Sequence, residues 1–256
     1  MRSSTLMALA ISIFAVGASA QHIVDVQDFQ FVDSVSGTSD TTITLGETIE
    51  FTWVSGFHLL EDGTAPGTPG AASLFSDPVD PANILFSFTP TEAGCFPYYC
   101  FPHFAFNMVG TITVVPAVLA GSGEDLTLNI QVNGVDGLIA SPGDLVTMHF
   151  ESPLGTFDNE PVILVAQIYA NGTAGPGSPG GFPEAHVNTF GAFLIFGGDL
   201  SPFGTPFVML PGGYTLATGA PPSFVGFIAR IQAFSLSGLA NNTFFATSDA
   251  MDILVK

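Results

Sequence analysis

The stretch Tyr99-Cys100-Phe101-Pro102-His103-Phe104-Ala105-Phe106-Asn107-Met108-Val109-Gly110 places a thiol, an imidazole and a thioether in the spacing Cys-x2-His-x4-Met. A second imidazole, His58, lies upstream in a strand-like run. Two imidazole nitrogens, a thiolate and a weakly held thioether sulfur form the donor set of a mononuclear copper site suited to electron transfer. In this reading Cys100 supplies the strong copper–sulfur bond. His103 reaches the same ion because Pro102 bends the chain, and Met108 returns across the loop as the long axial donor. His58 ties the loop to the body of the fold, and Gly110 lets the chain turn back into a strand. Taken singly, a strand histidine is usually a core or surface residue and a loop methionine is usually packing. Their joint spacing between strands is what singles them out.

The elements that must position these residues are strands. β-branched and aromatic runs are broken by Gly, Pro, Asp and Asn, with no sustained helical period beyond the N-terminal segment. Strands are predicted over residues 23–32, 41–45, 48–54, 84–88, 96–99 and 110–115. Thr64 to Gly70 and Ser76 to Pro81 read as loops. The pattern resets around Pro116 to Ser122, a short linker, and a second all-β run follows over residues 126–132, 145–150, 162–169, 190–196, 224–234 and 253–255. Its Gly/Pro stretch from Asn171 to Pro183 reads as an exposed loop. The expected architecture is all-β: an antiparallel sandwich over residues 21–118, then a second antiparallel β-sandwich over 122–256.

Several of these segments carry a family resemblance. Tyr99-Cys100-x-Pro102-His103-x4-Met108-Val109-Gly110 resembles the C-terminal ligand loop of plastocyanin-like cupredoxins. Asp28-Phe29-Gln30-Phe31 is similar to the family's opening strand, and Ile43 to Trp53 to its strand before the first histidine ligand. Thr89 to Gly94 with Tyr98-Tyr99-Cys100 is similar to the hairpin leading into the thiolate. The resemblance runs from about Val24 to Val115. It implies a Greek-key β-sandwich, one type 1 copper held by His58, Cys100, His103 and Met108, and one-electron shuttling between partner proteins. Many relatives carry Asn directly after the first histidine, where it braces the ligand loop; here Leu59 follows. Relatives dock redox partners through an apolar patch around the exposed histidine, so Phe101, Phe104 and Phe106 read equally as that docking surface or as residues covered by the second domain or a longer assembly.

Composition narrows the setting. The chain has 256 residues, with 22 acidic and three basic, and a formal net charge of −19. Between Gln21 and Val115 there is no Lys or Arg against 11 Asp and Glu. Such a surface repels nucleic acid and anionic membranes. It reads first as a general adaptation of an extracellular protein to salty surroundings, where charges are screened within about 10 Å, and second as a field that favours basic partners. Residues 1–20 read as a secretory signal: Arg2, an apolar run from Leu6 to Val16, and a small-residue cleavage site at Ala18-Ser19-Ala20. That apolar run is shorter than the roughly 20 residues a membrane span needs. The expected location is therefore secreted or periplasmic, with cleavage after Ala20. Cys95 and Cys100 are the only cysteines. On one extended strand their Cα atoms would stand about 16 Å apart, too far for a disulfide.

Other chemistries fail on counting. A dinuclear copper centre needs two thiolates spaced Cys-x3-Cys, and Cys95-x4-Cys100 does not fit. An oxidase or reductase needs further histidine pairs, whereas His22, His149 and His186 are scattered. No Ser/His/Asp set, phosphate loop or zinc pattern stands out, so the expectation is an electron carrier rather than an enzyme. The competing expectation is a structural or adhesive extracellular protein that uses the same fold as a scaffold.

Overall fold

The computed structural model describes residues 21–69, 74–188, 191–196 and 207–256. The signal segment expected over residues 1–20 lies outside them. The described residues contain strands, two short 3₁₀ turns and no α-helix. None of their helices is long and apolar enough to cross a membrane.

Ten strands make up the first half: β1 (Gln21–Gln27), β2 (Gln30–Asp33), β3 (Asp40–Thr44), β4 (Thr48–Trp53), β5 (His58–Ala65), β6 (Thr68–Pro69), β7 (Ser76–Val79), β8 (Leu85–Phe88), β9 (Gly94–Cys100) and β10 (Val109–Val115). They form two sheets, ordered β2-β1-β4-β8 and β3-β10-β9-β5-β6, with β7 on β5. Alternation explains the layering. In β4, Ile49 and Phe51 point inward between half-exposed polar neighbours, and in β10 Gly110, Ile112 and Val114 do the same. One core joins Val24, Val26, Ile49, Phe51, Tyr98 and Ile112 with Cys100 and Met108. Both sulfur-bearing residues are thus sealed at one end of this core.

Two segments expected as loops contain strands. Ser76–Val79 pairs with β5, His58 facing Val79 and Leu59 facing Pro78. Among the described residues β7 pairs with β5 alone, and on such an edge a proline's missing amide costs no ladder bond. Thr68–Pro69 closes a hairpin on β5 through a Pro66-Gly67 turn, where Gly67 holds φ 81°.

The second half contains β11 (Val118–Leu119), β12 (Thr127–Val132), β13 (Val135–Asp136), β14 (Ile139–Ala140), β15 (Leu145–Glu151), β16 (Val162–Ala170), β17 (Ala192–Phe196), β18 (Tyr214–Gly219), β19 (Phe227–Ser235), β20 (Ala246–Thr247) and β21 (Ala250–Val255). Its sheets run β11-β21-β19-β16-β17 and β13-β12-β15-β18 around a separate core that includes Phe150, Leu164, Met209 and Ile231. Among the described residues, strands of one half pair only within that half. Val118 and Leu119, in the stretch read as a linker, pair with Met251 and Ala250 of the second half.

The halves meet at the start of β9. Asn171 acts there like a strand neighbour, its side-chain amide donating to Ala93 O at 2.8 Å and accepting from Ala93 N at 3.1 Å. Ala93 packs with buried Ile228 and Leu254. Cys95 is exposed with Lys256 Nζ 3.4 Å from its sulfur, and both cysteines are free. Cys100 lies at the far end of β9, about 20 Å from this junction at the usual strand rise.

Candidate metal centre

β9 delivers Cys100 into the core, and its continuation forms a loop as tight as its backbone bonds allow. His103 N donates to Cys100 O at 3.2 Å, Phe106 N to His103 O at 2.9 Å and Asn107 N to Phe104 O at 2.9 Å. Asn107 takes the left-handed conformation, φ 62° and ψ 33°, which Asn tolerates better than most residues. Asn107, not Gly110, makes the turn back. Gly110 is needed for another reason: a Cβ there would lie 2.4 Å from Ser39 O and 2.6 Å from the Tyr98 ring. Cys100 N donates to Met108 O at 3.0 Å, which closes the loop at its base.

His58 arrives as the first residue of β5 and is fully buried. Its Nε2 lies 2.7 Å from Ser55 O. A carbonyl only accepts, so Nε2 carries the proton and Nδ1 presents its lone pair to the loop. Burial holds this imidazole below its ordinary pKa, against the raising pull of Ser55; the nearby His103 lowers it further and Asp28 opposes. The ring is therefore neutral at neutral pH, as a ligand must be.

The structure brings three of the expected donor atoms together. Cys100 Sγ stands 3.5 Å from His58 Nδ1 and 3.4 Å from His103 Nδ1, and the two nitrogens are 3.3 Å apart. Such a near-equilateral triangle has its centre about 2 Å from each corner, close to the length of metal–imidazole and metal–thiolate bonds. The donors fit a soft or borderline ion in trigonal coordination. Among the described residues, these three are the group of His, Cys, Asp and Glu close enough to share a metal. Burial pushes the Cys100 thiol above its ordinary pKa, while the backbone amides of Leu59 and His103 pull it down. A bound cation would displace that proton.

Met108 is buried beside Cys100 in the core. Leu59, which follows the first histidine, ties the ligand loop to β5 through its main chain, since Phe101 N donates to Leu59 O at 2.8 Å. Of the expected surface phenylalanines, Phe101 is 51% and Phe106 65% exposed. Phe104 instead lies half-buried, edge-on to the Tyr99 ring at 5.5 Å.

Phe29 was not expected at the site. It meets His103 edge-on with ring centroids 4.9 Å apart, and Phe106 at the same separation. Its φ of 63° is a left-handed conformation that costs a residue with a Cβ roughly 1–2 kcal/mol.

The remaining histidines have other partners. His22 pairs with Asp33 at 2.7 Å, His149 Nδ1 with Thr215 Oγ1 at 2.9 Å, and His186 Nε2 with Ala120 O at 2.8 Å.

Solved structures with this shape include a mutant fern plastocyanin, 28% identical, matching 37% of this chain and 99% of that one with a TM-score of 0.30. The oxidised plastocyanin of Dryopteris crassirhizoma is 27% identical over the same shares, with a TM-score of 0.29. A reduced amicyanin variant is 25% identical over 39% of this chain and 87% of that one, with a TM-score of 0.29. Over its N-terminal part the chain is similar to these cupredoxins. No protein-family model matches the chain, and no curated protein does.

Proposed function

We propose that this chain is a secreted electron carrier with one type 1 copper held by His58, Cys100, His103 and Met108. The observation that carries the reading is the convergence of two imidazole Nδ1 atoms and one thiolate within 3.3–3.5 Å of one another. Copper bound there supplies one-electron chemistry by cycling between Cu(II) and Cu(I). The protein's own part is to hold the donors still. The Ser55 carbonyl fixes the His58 tautomer, the loop's hydrogen bonds fix His103 and Cys100, and the core excludes water from the sulfur. A donor set that moves little between two charge states lets an electron pass quickly.

Half-exposed His103 is the exit for that electron, with Phe101 and Phe106 forming an apolar rim for a redox partner. Among the described residues, the hydrogen bonds between the halves lie at the opposite end of β9, and Phe101 and Phe106 are exposed. The acidic surface favours a basic partner. Residues 21–115 form the copper domain, and the β-sandwich that docks or displays it begins not at 122 but with Val118 and Leu119, which pair with β21; the separate sheets and cores favour this division. The N-terminal segment, residues 1–20, directs export.

The test is a copper titration of the mature protein with visible and EPR spectroscopy. One equivalent gives an intense blue band and narrow hyperfine splitting, both absent in Cys100→Ser. A colourless protein, or a copper signal that survives Cys100→Ser, leaves only a scaffold with this fold.

A further inference from the structure

We infer that Asp28 and Phe29, the two residues of the turn between β1 and β2, are positioning residues for the two imidazoles of the metal centre. The inference rests on the copper reading above. Gln27 pairs with Gln30, so Asp28-Phe29 is a two-residue hairpin loop. Loops of this kind favour Gly or Asn where φ is positive, yet a phenylalanine stands there at φ 63°. It is half exposed and outside the buried core, so core packing does not account for it. Its ring contacts are His103 and Phe106. The strained backbone aims the Phe29 ring at the ligand imidazole and limits the tilt of that ring.

Asp28 leans on the other imidazole. Its amide donates to Ser55 Oγ at 3.1 Å, which ties the turn to the segment leading into His58. The adjoining Gly56, at φ 86°, has no Cβ, and an added one would stand 2.3 Å from Asp28 Oδ1 and 2.8 Å from His58 Nε2. Carboxylate and ring therefore converge on the same glycine, and Ser55 O accepts from that ring's Nε2. A negative charge on this side favours the more positive state of a bound ion. One hairpin turn thus meets the His103 ring through Phe29 and lies on the Nε2 side of His58 through Asp28.

The experiment uses the full mature chain loaded with copper, with Phe29→Gly and Asp28→Asn. Glycine relieves the strained φ, so the copper-free Phe29→Gly protein melts no lower than wild type. Its copper passes to a chelator about tenfold faster, the effect usual for losing a group that orients a ligand. Asp28→Asn raises the reduction potential, and the rise shrinks as salt is added. Phe29→Gly with a lowered melting temperature and unchanged copper release, together with an unmoved potential in Asp28→Asn, overturns the inference and leaves the copper reading standing. A wild-type chain that takes up no blue copper overturns both.

Discussion

Two buried polar clusters, one in each half, are arranged in opposite ways. In the second, Arg230 gives Asp252 two parallel bonds at 2.7 and 2.8 Å, a third to Pro176 O at 2.8 Å, and lies against the Tyr169 ring and hydroxyl. Buried Gln232 is equally complete, bonded to Glu184 O, Ser248 O and His186 N. In the first half, Cys100 Sγ and the Nδ1 atoms of His58 and His103 point at one another, and the one thiol proton can serve at most one of the two nitrogens. The closed network holds a loop in place. The open one leaves a position for a cation.

That contrast is broken most severely by Asp252→Ala. Removing one partner of a buried ion pair leaves the other uncompensated and costs about 3–5 kcal/mol. The second half should melt at least about 10 °C lower, while the blue spectrum of the loaded protein stays as it was. Replacing both residues, as Arg230→Met with Asp252→Leu, should recover most of that loss, because no charge is then buried alone. If Asp252→Ala bleaches the copper band, the halves are coupled through Asn171 and Ala93 and the network is not purely structural.

A smaller effect concerns acid. Burial alone would raise the Asp125 carboxyl, but the Ser152 hydroxyl and the Leu154 and Thr156 amides outweigh it and hold its pKa at about 2. Because the folded value lies below the ordinary carboxylate range, this contribution is complete above about pH 4. It disappears as the pH falls through 2. Asp125→Asn should cost about 1 kcal/mol at neutral pH and flatten the loss of stability between pH 4 and 2. An unchanged acid profile would place that titration on another carboxylate.

What could be read from the sequence follows from how local each feature is. Cys100, His103 and Met108 share one loop, so their spacing alone pointed to a common centre. His58 stood out because an imidazole opened a strand-like run. Phe29 did not, because its contact with His103 joins two loops far apart in sequence and its backbone contradicts its propensity. Ser76–Val79 was hidden by Pro78, which signals a loop unless the strand lies at an edge. Tyr214–Gly219 was missed because its alternation is weak, with most of its residues exposed. Arg230 entered only as a charge count, and nothing near it in sequence announced Asp252 or Pro176. Asn171 read as part of an exposed loop, yet it joins the halves.

The finest test of the open site concerns its fourth donor. Met108 is buried in the same core as Cys100, and its carbonyl is tied to the Cys100 amide. Met108→Gln keeps nearly the same volume and leaves the thiolate and both imidazoles untouched, so the blue band should persist. An amide oxygen is a harder donor than a thioether and favours Cu(II), so the reduction potential should fall. An unchanged potential would mean that Met108 is packing and that the axial position is empty or held by another group. Asp28→Asn acts on His58 from outside and should move the potential in the opposite direction. Asp28 lies on the Nε2 side of His58 and Met108 lies in the core, so their shifts should add in the double variant. A double variant that departs from the sum would show that the hairpin turn and the axial donor act on the copper through a shared movement of the ligand loop.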